Sequence, residues 1–380
     1  MKHGLIERQQ CRPDRLGELH WGTTQTNLWQ PNASFITLYP LSDLSTPPSS
    51  YAKFSAKAFV LTANCDLIAR LEKGEIILLD GGIGTELERL GAPMDHDAWC
   101  AVALQTHPHL VKEVHRSYVN AGADVITVNT YATTKIALKR AKMEEKFEEW
   151  NRLAVRLAKE ALAECNPGRS VYVAGSVSTF GSSSRFSDFS KDGTSQLKLW
   201  FREQAQLLVE SGVDLLLIET LASESSVISA ALEAVSEFDV PIWVAVSCAR
   251  DQKAGELFLG AKESNSLSKK FHSYHEPLDF ALNQLVAQGG YSALLVMHSE
   301  VDVIQSAVRS LGEKYKGPVG AYPNAGYWQR PEWIFVDQIS PDDYAATART
   351  WVDEGAQIIG GCCGIGPEHI RALTRQHRTG

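Results

Sequence analysis

Eight short apolar runs, each separated from the next by a longer stretch of helical periodicity, most constrain the fold of this 380-residue chain. The runs are rich in Val, Ile and Leu, as is typical of parallel strands that are buried on both faces and joined by helical crossovers. They are IILLD (76–80), DVITV (124–128), VYVAG (171–175), DLLLI (214–218), PIWVAV (241–246), SALLVM (292–297), GPVGAY (317–322) and AQIIGG (356–361).

The number of strands and their alternation with helices predict an α/β fold, a (β/α)8 TIM-type barrel over residues 71–380. A doubly wound open sheet is the alternative. It is disfavoured because DGGIGTE, which follows the first strand, lacks both the GxGxxG spacing and the P-loop lysine. Residues 249–276 are too long and too polar for an ordinary strand-to-helix turn, and they are predicted to extend over the barrel mouth.

Residues 1–70 have a different composition, with clusters of Pro, Ser, Thr and Asn such as LSTPPSS at 44–50 and little periodic apolar patterning. This composition predicts an N-terminal extension that is irregular or partly disordered. A lid or a partner-binding arm is the alternative for the same segment.

Charge and hydropathy narrow the functional class. The net charge is −8 and no long basic run is present, which argues against a nucleic-acid or anionic-membrane partner. No apolar run reaches the roughly 20 residues that span a bilayer, and MKHGLIERQQ has no apolar signal region. We therefore expect a cytoplasmic enzyme, monomeric or a small homo-oligomer, that acts on small molecules.

The seven cysteines are odd in number and irregularly spaced, and two of them are adjacent, which is a poor arrangement for a disulfide framework. Reduced thiols, some of them metal ligands, are the better interpretation. In a (β/α)8 barrel the active site lies at the C-terminal ends of the strands. The residues predicted there are Asp80-Gly81-Gly82, Asn129-Thr130-Tyr131, Gly175-Ser176-Val177, Glu219-Thr220, Ser247-Cys248, Met297-His298, Pro323-Asn324-Ala325-Gly326 and Gly361-Cys362-Cys363-Gly364.

Two neighbouring cysteines on a glycine-flanked turn, Cys362 and Cys363, can both point at one ion. Catalytic zinc usually has three protein ligands and one open position, and His298 at the end of strand six can reach the same barrel mouth. Alone, a GCCG turn is more often a set of buried small residues, and a lone histidine is usually structural. Their joint placement favours a Cys2His zinc site.

Asp80 and Glu219 are single carboxylates at the ends of nearly continuous apolar strands, where an unpaired charge is unfavourable. One interpretation is that they pair with Lys or Arg from neighbouring loops. The other is that they hold the ammonium group of a substrate.

Several motifs together resemble the homocysteine S-methyltransferase family over residues from about 76 to 375. They are DGGIGTELERLG, HPHLVKEVHRSYVNAGADVITVNTYATT, DLLLIET, YPNAG and GAQIIGGCCGIGPEHIRAL. The resemblance implies a zinc-dependent barrel that methylates the thiolate of homocysteine from a sulfonium or quaternary ammonium donor, giving methionine. Binding to zinc deprotonates a thiol that is otherwise mostly protonated at pH 7.

The resemblance also implies roles for individual residues. Cys362 and Cys363 match the two adjacent zinc cysteines, and Asp80 and Glu219 match carboxylates that engage the amino end of homocysteine. Tyr131 joins these two carboxylates in the predicted catalytic set. The predicted substrate-binding set is Gly81, Gly82, Trp99, Asn129, Thr130, Cys248 and Asn324, with Trp99 placed near the onium group of the donor.

The chain departs from the family pattern in two places. The third zinc cysteine of the family lies in a strand-six motif close to Val-Asn-Cys, where this chain has Val296-Met297-His298. The stretch GSVSTFGSSSRFSDFSKDG after strand three also differs from the expected donor loop. These departures leave open a zinc-barrel methyltransferase with a different thiol or donor, or a non-catalytic zinc- or thiol-binding homologue. The early end of the chain after the cysteines favours S-methylmethionine or S-adenosylmethionine over betaine.

Overall fold

All eight predicted strands are present and form one parallel sheet. In this computed structural model the described residues are 66–181, 193–220, 224–251, 255–260, 276–336 and 338–378. The sheet strands are β1 (Ile77–Leu78), β2 (Val125–Thr127), β3 (Tyr172–Ser178), β4 (Leu215–Thr220), β5 (Ile242–Val246), β8 (Ala293–Glu300), β9 (Val319–Asn324) and β12 (Ala356–Ile359). Their order across the sheet is β1, β12, β9, β8, β5, β4, β3, β2.

Backbone hydrogen bonds close this sheet into a barrel. Leu79 forms a parallel bridge with Val125. The Asp80 amide donates to the Val125 carbonyl at 3.0 Å, and the Asp124 amide donates to the Leu78 carbonyl at 2.7 Å. The predicted (β/α)8 barrel is therefore confirmed, and the alternative of an open doubly wound sheet is excluded.

Two small antiparallel hairpins lie outside the barrel sheet. The first pairs β6 (Cys248–Arg250) with β7 (Leu257–Leu259), and the second pairs β10 (Tyr327–Gln329) with β11 (Glu332–Ile334). The first hairpin begins the segment predicted to extend over the barrel mouth. Residues 252–254 and 261–275 of that segment lie outside the described residues.

Helices follow the strands, and residues that favour helix starts and ends lie at their termini. The helix Pro108–Ala121 has proline in its first turn and ends at Gly122, whose φ of 110° suits glycine. Ser340 caps the helix Pro341–Asp353 by accepting from the Asp343 amide. From β1 onward, the helices of the described residues are α1 (Ile83–Arg89), α2 (Ala103–Thr106), α3 (Pro108–Ala121), α4 (Lys135–Arg140), α5 (Phe147–Cys165), α6 (Gly193–Glu210), α7 (Ser225–Val235), α8 (Leu278–Gln288), α9 (Val301–Lys314), α10 (Pro341–Asp353) and α11 (Pro367–Arg378), with short 3-10 helices at Cys100–Val102 and Glu144–Lys146.

Side chains alternate between the barrel interior and the layer beneath the helices. Leu215 and Leu217 of β4 belong to the interior cluster, whereas Leu216 and Ile218 pack in the outer layer. This two-residue period is what a strand buried on both faces requires. The interior cluster also contains Trp243.

Residues 66–72 are helical and belong with the barrel. Leu67 and Leu71 are buried in the same interior cluster as Tyr172. The Tyr172 hydroxyl also donates to the Asp66 carboxylate. The predicted boundary at residue 70 thus falls inside this helix, and residues 1–65 of the predicted extension lie outside the described residues.

No helix within the described ranges is both long and apolar enough to cross a bilayer. This agrees with the lack of a spanning run in the sequence.

One core residue couples stability to pH. His115 of α3 is fully buried, and neither ring nitrogen has a hydrogen-bond partner among the described residues. Burial lowers the pKa of His115 from 6.5 to about 4. The folded protein therefore keeps this ring neutral at a pH where the unfolded chain protonates it.

We expect the free energy of unfolding to fall as the pH drops from 6.5 towards 4, with His115 accounting for up to about 3 kcal/mol. His115→Leu should remove this part of the pH dependence while leaving stability near pH 7 similar. Urea unfolding at pH 7 and pH 5, followed by tryptophan fluorescence, measures it. The exposed control His109→Gln should behave like the wild type, and an unchanged pH dependence in His115→Leu would contradict the assignment.

Candidate active site and metal centre

A cavity of about 660 Å³ opens at the barrel mouth, where the C-terminal ends of the strands meet. This volume is within the range of small-molecule sites. The predicted site residues that line it are Asp80, Gly81, Gly82, Trp99, Asn129, Tyr131, Glu219, His298, Asn324, Cys362 and Cys363.

The turn after β12 places both cysteines at the cavity floor and is held from two sides. The Cys362 amide donates to the Pro323 carbonyl at 2.8 Å, and the Ala325 amide donates to the Cys363 carbonyl at 2.9 Å. Gly364 has a φ of 78°, and a Cβ there would lie 2.0 Å from the Ala325 carbonyl oxygen. Glycine is therefore required for the turn to pack this closely.

His298 reaches the same floor because β8 is irregular at its end. The register between β8 and β9 shifts between Met297 and Glu300, which indicates a bulge. His298 has a φ of 41°, a left-handed conformation that is unfavourable for a residue with a Cβ. Its ring meets the Trp333 ring edge to face, with centroids 5.6 Å apart.

The ligand atoms of His298, Cys362 and Cys363 all lie within 4.8 Å of one another. The two sulfurs are 3.9 Å apart, and His298 Nδ1 is 3.5 Å from the Cys362 sulfur. In a tetrahedral zinc site, two sulfurs at about 2.3 Å from the ion are about 3.8 Å apart. A sulfur and a nitrogen that lies at about 2.0 Å are about 3.5 Å apart. Two of the three separations therefore match a zinc site, and the third, between His298 and Cys363, lies within 4.8 Å.

The two thiols differ in acidity. The pKa of Cys362 lies well below the usual thiol value because of a hydrogen bond with Cys363, with His298 lowering it further. The pKa of Cys363 is raised for the same reason, with burial adding to the shift. A thiolate is the metal-binding form of cysteine, so Cys362 is the group prepared for it.

Asp80 is buried, and its carboxylate accepts two hydrogen bonds from Thr127. One oxygen accepts from the Thr127 amide at 2.6 Å and the other from the Thr127 hydroxyl at 3.0 Å. Burial raises the pKa of Asp80 well above the usual range, and the nearby Glu219 adds to this shift. Asp80 therefore holds the end of β2 while facing the cavity.

Glu219 lies at the end of β4 and is also buried. It accepts hydrogen bonds from the Ser176 hydroxyl and, at 3.2 Å, from the Tyr322 hydroxyl. Burial raises the pKa of Glu219 to about 7. A cationic group in the cavity would favour the charged carboxylate and offset the effect of burial.

Aromatic rings form one wall of the cavity. The Trp99 ring packs against Tyr131, Phe180 and Trp328, with centroids 6.3, 6.2 and 5.3 Å apart. Trp99, like His298, has a positive φ of 41°, which is unfavourable for a residue with a Cβ. A wall of this kind can hold a cation by cation–π attraction.

Thr130 and Cys248 of the predicted substrate-binding set do not line the cavity. The Thr130 hydroxyl donates to the Ser176 carbonyl at 2.7 Å, so it connects β2 and β3. Cys248, in strand β6 of the first hairpin, is buried, and its sulfur lies 3.8 Å from the hydroxyl oxygen of Ser299 in β8. Both side chains are turned towards packing and backbone contacts.

Sequence reasoning missed Thr127 and Tyr322 as polar partners of the carboxylates, and it missed the whole second hairpin. It placed Ser176 at the barrel mouth but did not identify it as a partner of Glu219. Thr127, Ser176 and Tyr322 could have been found by strand alternation, since each lies on a predicted strand or its end. Hairpin β10–β11 has no periodic signal. Its dense aromatic sequence, GYWQRPEWIF, is the feature that could have marked it. The hairpin residues that line the cavity are Tyr327, Trp328, Gln329, Arg330 and Trp333.

The family model described as homocysteine S-methyltransferase matches residues 77–377. Homocysteine S-methyltransferase 1 of Zea mays is 30% identical over 340 residues, covering 83% of this chain and 98% of the maize protein. Selenocysteine Se-methyltransferase of Brassica oleracea is 28% identical, covering 80% of this chain and 90% of that protein.

Among solved structures, the chain is similar to the homocysteine methyltransferase MmuM of Escherichia coli in its metallated form. The TM-score is 0.62 at 26% sequence identity, and the match covers 81% of this chain and 98% of the bacterial one.

The raised pKa of Glu219 gives a stability prediction. Its folded-state pKa of about 7 exceeds the ordinary 4.5, so the stability that Glu219 contributes is fully present below pH 4.5 and is lost as the pH rises through 7. Glu219→Gln should therefore make the metal-free protein more stable at pH 8, by up to about 3 kcal/mol. Chemical denaturation of both proteins after chelation measures it. The exposed control Glu145→Gln should change nothing, and a Glu219→Gln protein no more stable than the wild type would count against the assignment.

Proposed function

Because the chain belongs to the homocysteine S-methyltransferase family, we propose that it transfers a methyl group from an onium donor to the thiolate of homocysteine, giving methionine. The donor is S-methylmethionine, S-adenosylmethionine or betaine, and the metal is zinc. The observation that carries the proposal is the approach of His298, Cys362 and Cys363 ligand atoms within 4.8 Å at the floor of the cavity.

His298, Cys362 and Cys363 are the residues that would hold zinc. A zinc ion at this position would supply the Lewis acidity that keeps the sulfur of the acceptor deprotonated at neutral pH. Two thiolates and a neutral imidazole balance the charge of the ion, whereas three thiolates would leave one negative charge. The donor set is suited to zinc because sulfur and imidazole nitrogen are its usual ligands.

The carboxylates would bind the other end of the acceptor. Glu219 has oxygens held by Ser176 and Tyr322, and these contacts fix the carboxylate in one orientation towards the cavity. The ammonium group of homocysteine would favour the ionised form of Glu219 and so lower its pKa from about 7. Asp80 would contribute a second negative charge beside it.

The aromatic wall would hold the onium group of the donor. In the transfer, the bond between the methyl carbon and the onium atom breaks and its electron pair stays with the donor. The new carbon–sulfur bond forms from an electron pair of the acceptor thiolate. The leaving group departs as a neutral molecule, so no proton donor is required, and Trp99 and Tyr131 need only position the cation.

A second candidate function uses a selenol acceptor in the same site. It is supported by the similarity to selenocysteine Se-methyltransferase and by the replacement of the family's third cysteine with His298. A neutral ligand leaves the metal more electrophilic, which lowers the pKa of the bound nucleophile together with its nucleophilicity. Selenium is the softer nucleophile and is less affected by that change. A non-catalytic zinc- or thiol-binding protein is the remaining alternative.

The test is metal analysis of the purified protein combined with a screen of donors and acceptors read by mass spectrometry. We expect close to one zinc per chain and methyl transfer to homocysteine. Glu219→Gln should raise the KM for the acceptor with unchanged zinc content, since it weakens the ammonium contact alone. Zinc with another methylated product would support the second candidate, and zinc without turnover would support the non-catalytic alternative.

The proposed third ligand gives a separate prediction. His298→Ala should lose most of its zinc under mild chelation, because two protein ligands rarely hold the ion against a competitor. His298→Cys should keep the zinc, since a thiolate neutralises the ion better than imidazole does. Zinc content after dialysis against a chelator measures both variants. Full zinc retention in His298→Ala would show that another group completes the site.

A further inference from the structure

We propose that Arg330, at the turn of hairpin β10–β11, binds the carboxylate of the methyl donor and so selects donors that carry one. The inference rests on the proposed function, because it assigns a specificity residue to the donor half of the same cavity. Neither the position of Arg330 nor its charge is needed by the acceptor or the metal in the proposal above.

The hairpin is fixed at its base and extends along the cavity wall. Trp333 pairs with Trp328 across the hairpin, and Gln329 pairs with Glu332, so Arg330 lies in the turn. The Trp333 amide donates to both oxygens of the Glu88 carboxylate, at 2.9 and 3.1 Å. Its indole Nε1 donates to the Ala325 carbonyl at 2.9 Å, beside the cysteine turn.

These contacts fix the order in which the side chains of the hairpin lie along the cavity, starting from the cysteines. Trp333 contacts the ring of His298 at the metal end, and Trp328 contacts Trp99 on the aromatic wall. The turn with Arg330 follows these two rings along the hairpin. A ligand that begins at the cysteines and passes the aromatic wall would therefore meet Arg330 next.

Charge identifies the group that Arg330 would bind. Among the described residues that line the cavity, Arg330 is the one lysine or arginine, whereas Asp80 and Glu219 place two carboxyl groups at the floor. Its charged partner within the described ranges is Asp97, with a nitrogen–oxygen distance of 3.7 Å, and its side chain is 41% exposed. So long and exposed an ion pair is weak, and it leaves guanidinium N–H groups for a carboxylate, which they can bind in a two-pronged contact.

The direction of methyl transfer places the donor on this side. In an in-line displacement the leaving group lies opposite the attacking sulfur, so the body of the donor points away from the cysteines. The onium group would lie against Trp99 and Trp328, and a carboxylate farther along the donor would be close to Arg330. S-methylmethionine, S-adenosylmethionine and betaine all carry a carboxylate, so the contact fits the donor class as a whole.

The experiment compares the binding of two ligands to the wild type and to an Arg330 variant, measured by isothermal titration calorimetry. S-methylmethionine and its carboxamide, which keeps the sulfonium and the ammonium, are titrated into wild-type protein and Arg330→Gln. We expect the wild type to bind the carboxylate about tenfold or more tightly than the carboxamide, and Arg330→Gln to bind the two equally. Arg330→Lys should retain part of the preference, since it keeps the charge but loses the planar fork.

The control is Arg116→Gln, an arginine of similar exposure on α3, which should behave like the wild type. A carboxylate preference equal in wild type and Arg330→Gln would overturn the proposal. So would weakened homocysteine binding with unchanged donor binding, or a wild type that binds neither S-methylmethionine nor betaine. Because binding is measured without turnover, failure of methyl transfer to homocysteine would be recorded separately and would challenge the proposed function alone.

Discussion

The backbone hydrogen bonds that join the first strand to the second, from Asp80 to Val125 and from Asp124 to Leu78, determine where the site lies. Closing a parallel sheet brings all eight C-terminal strand ends to one rim. Residues as distant in sequence as Asp80 and Cys362 then line one cavity. The turn after β12 is held by the end of β9 and the residue that follows it, because these two strands are neighbours in the sheet.

The site concentrates features that are unfavourable for folding. Two buried carboxylates have raised pKa values, and two of the four described non-glycine residues with positive φ, Trp99 and His298, face the cavity. Each such conformation is unfavourable by about 1–3 kcal/mol, and the surrounding packing must impose it. Hairpin β10–β11, anchored by the Glu88 carboxylate, supplies this packing for His298. Packing elsewhere in the barrel must therefore stabilise these unfavourable groups. A bound cation would offset part of this energy by favouring the charged form of the two carboxylates.

The barrel and the approach of His298 to the two cysteines could be predicted from sequence because their signals are local or periodic. Apolar runs such as DLLLI indicate strands that are buried on both faces. Because the active site of a (β/α)8 barrel lies at the C-terminal ends of its strands, these runs also predict that His298 lies near Cys362. Thr130 and Cys248 show the limit of that rule. A strand-end position does not determine which face a side chain takes, because a shift of one residue reverses it. Trp333 and Arg330 lie in a hairpin whose sequence has no periodic apolar pattern. The hairpin is held at the cavity by the hydrogen bonds of Trp333 to Glu88 and Ala325, which the sequence does not indicate.

The substitution at strand six is best understood together with the hairpin. An imidazole is larger than a thiol and must be oriented before its nitrogen can face two sulfurs, whereas a cysteine side chain has a single ligand atom on a short stem. The bulge after Met297 turns the backbone, and the Trp333 ring limits the rotation of the imidazole. The same tryptophan belongs to the hairpin that carries Arg330. Under the proposed function, one hairpin thus contacts the proposed ligand His298 through Trp333 and the proposed donor site through Arg330. A change at either place can therefore affect the other through the packing of β10 and β11.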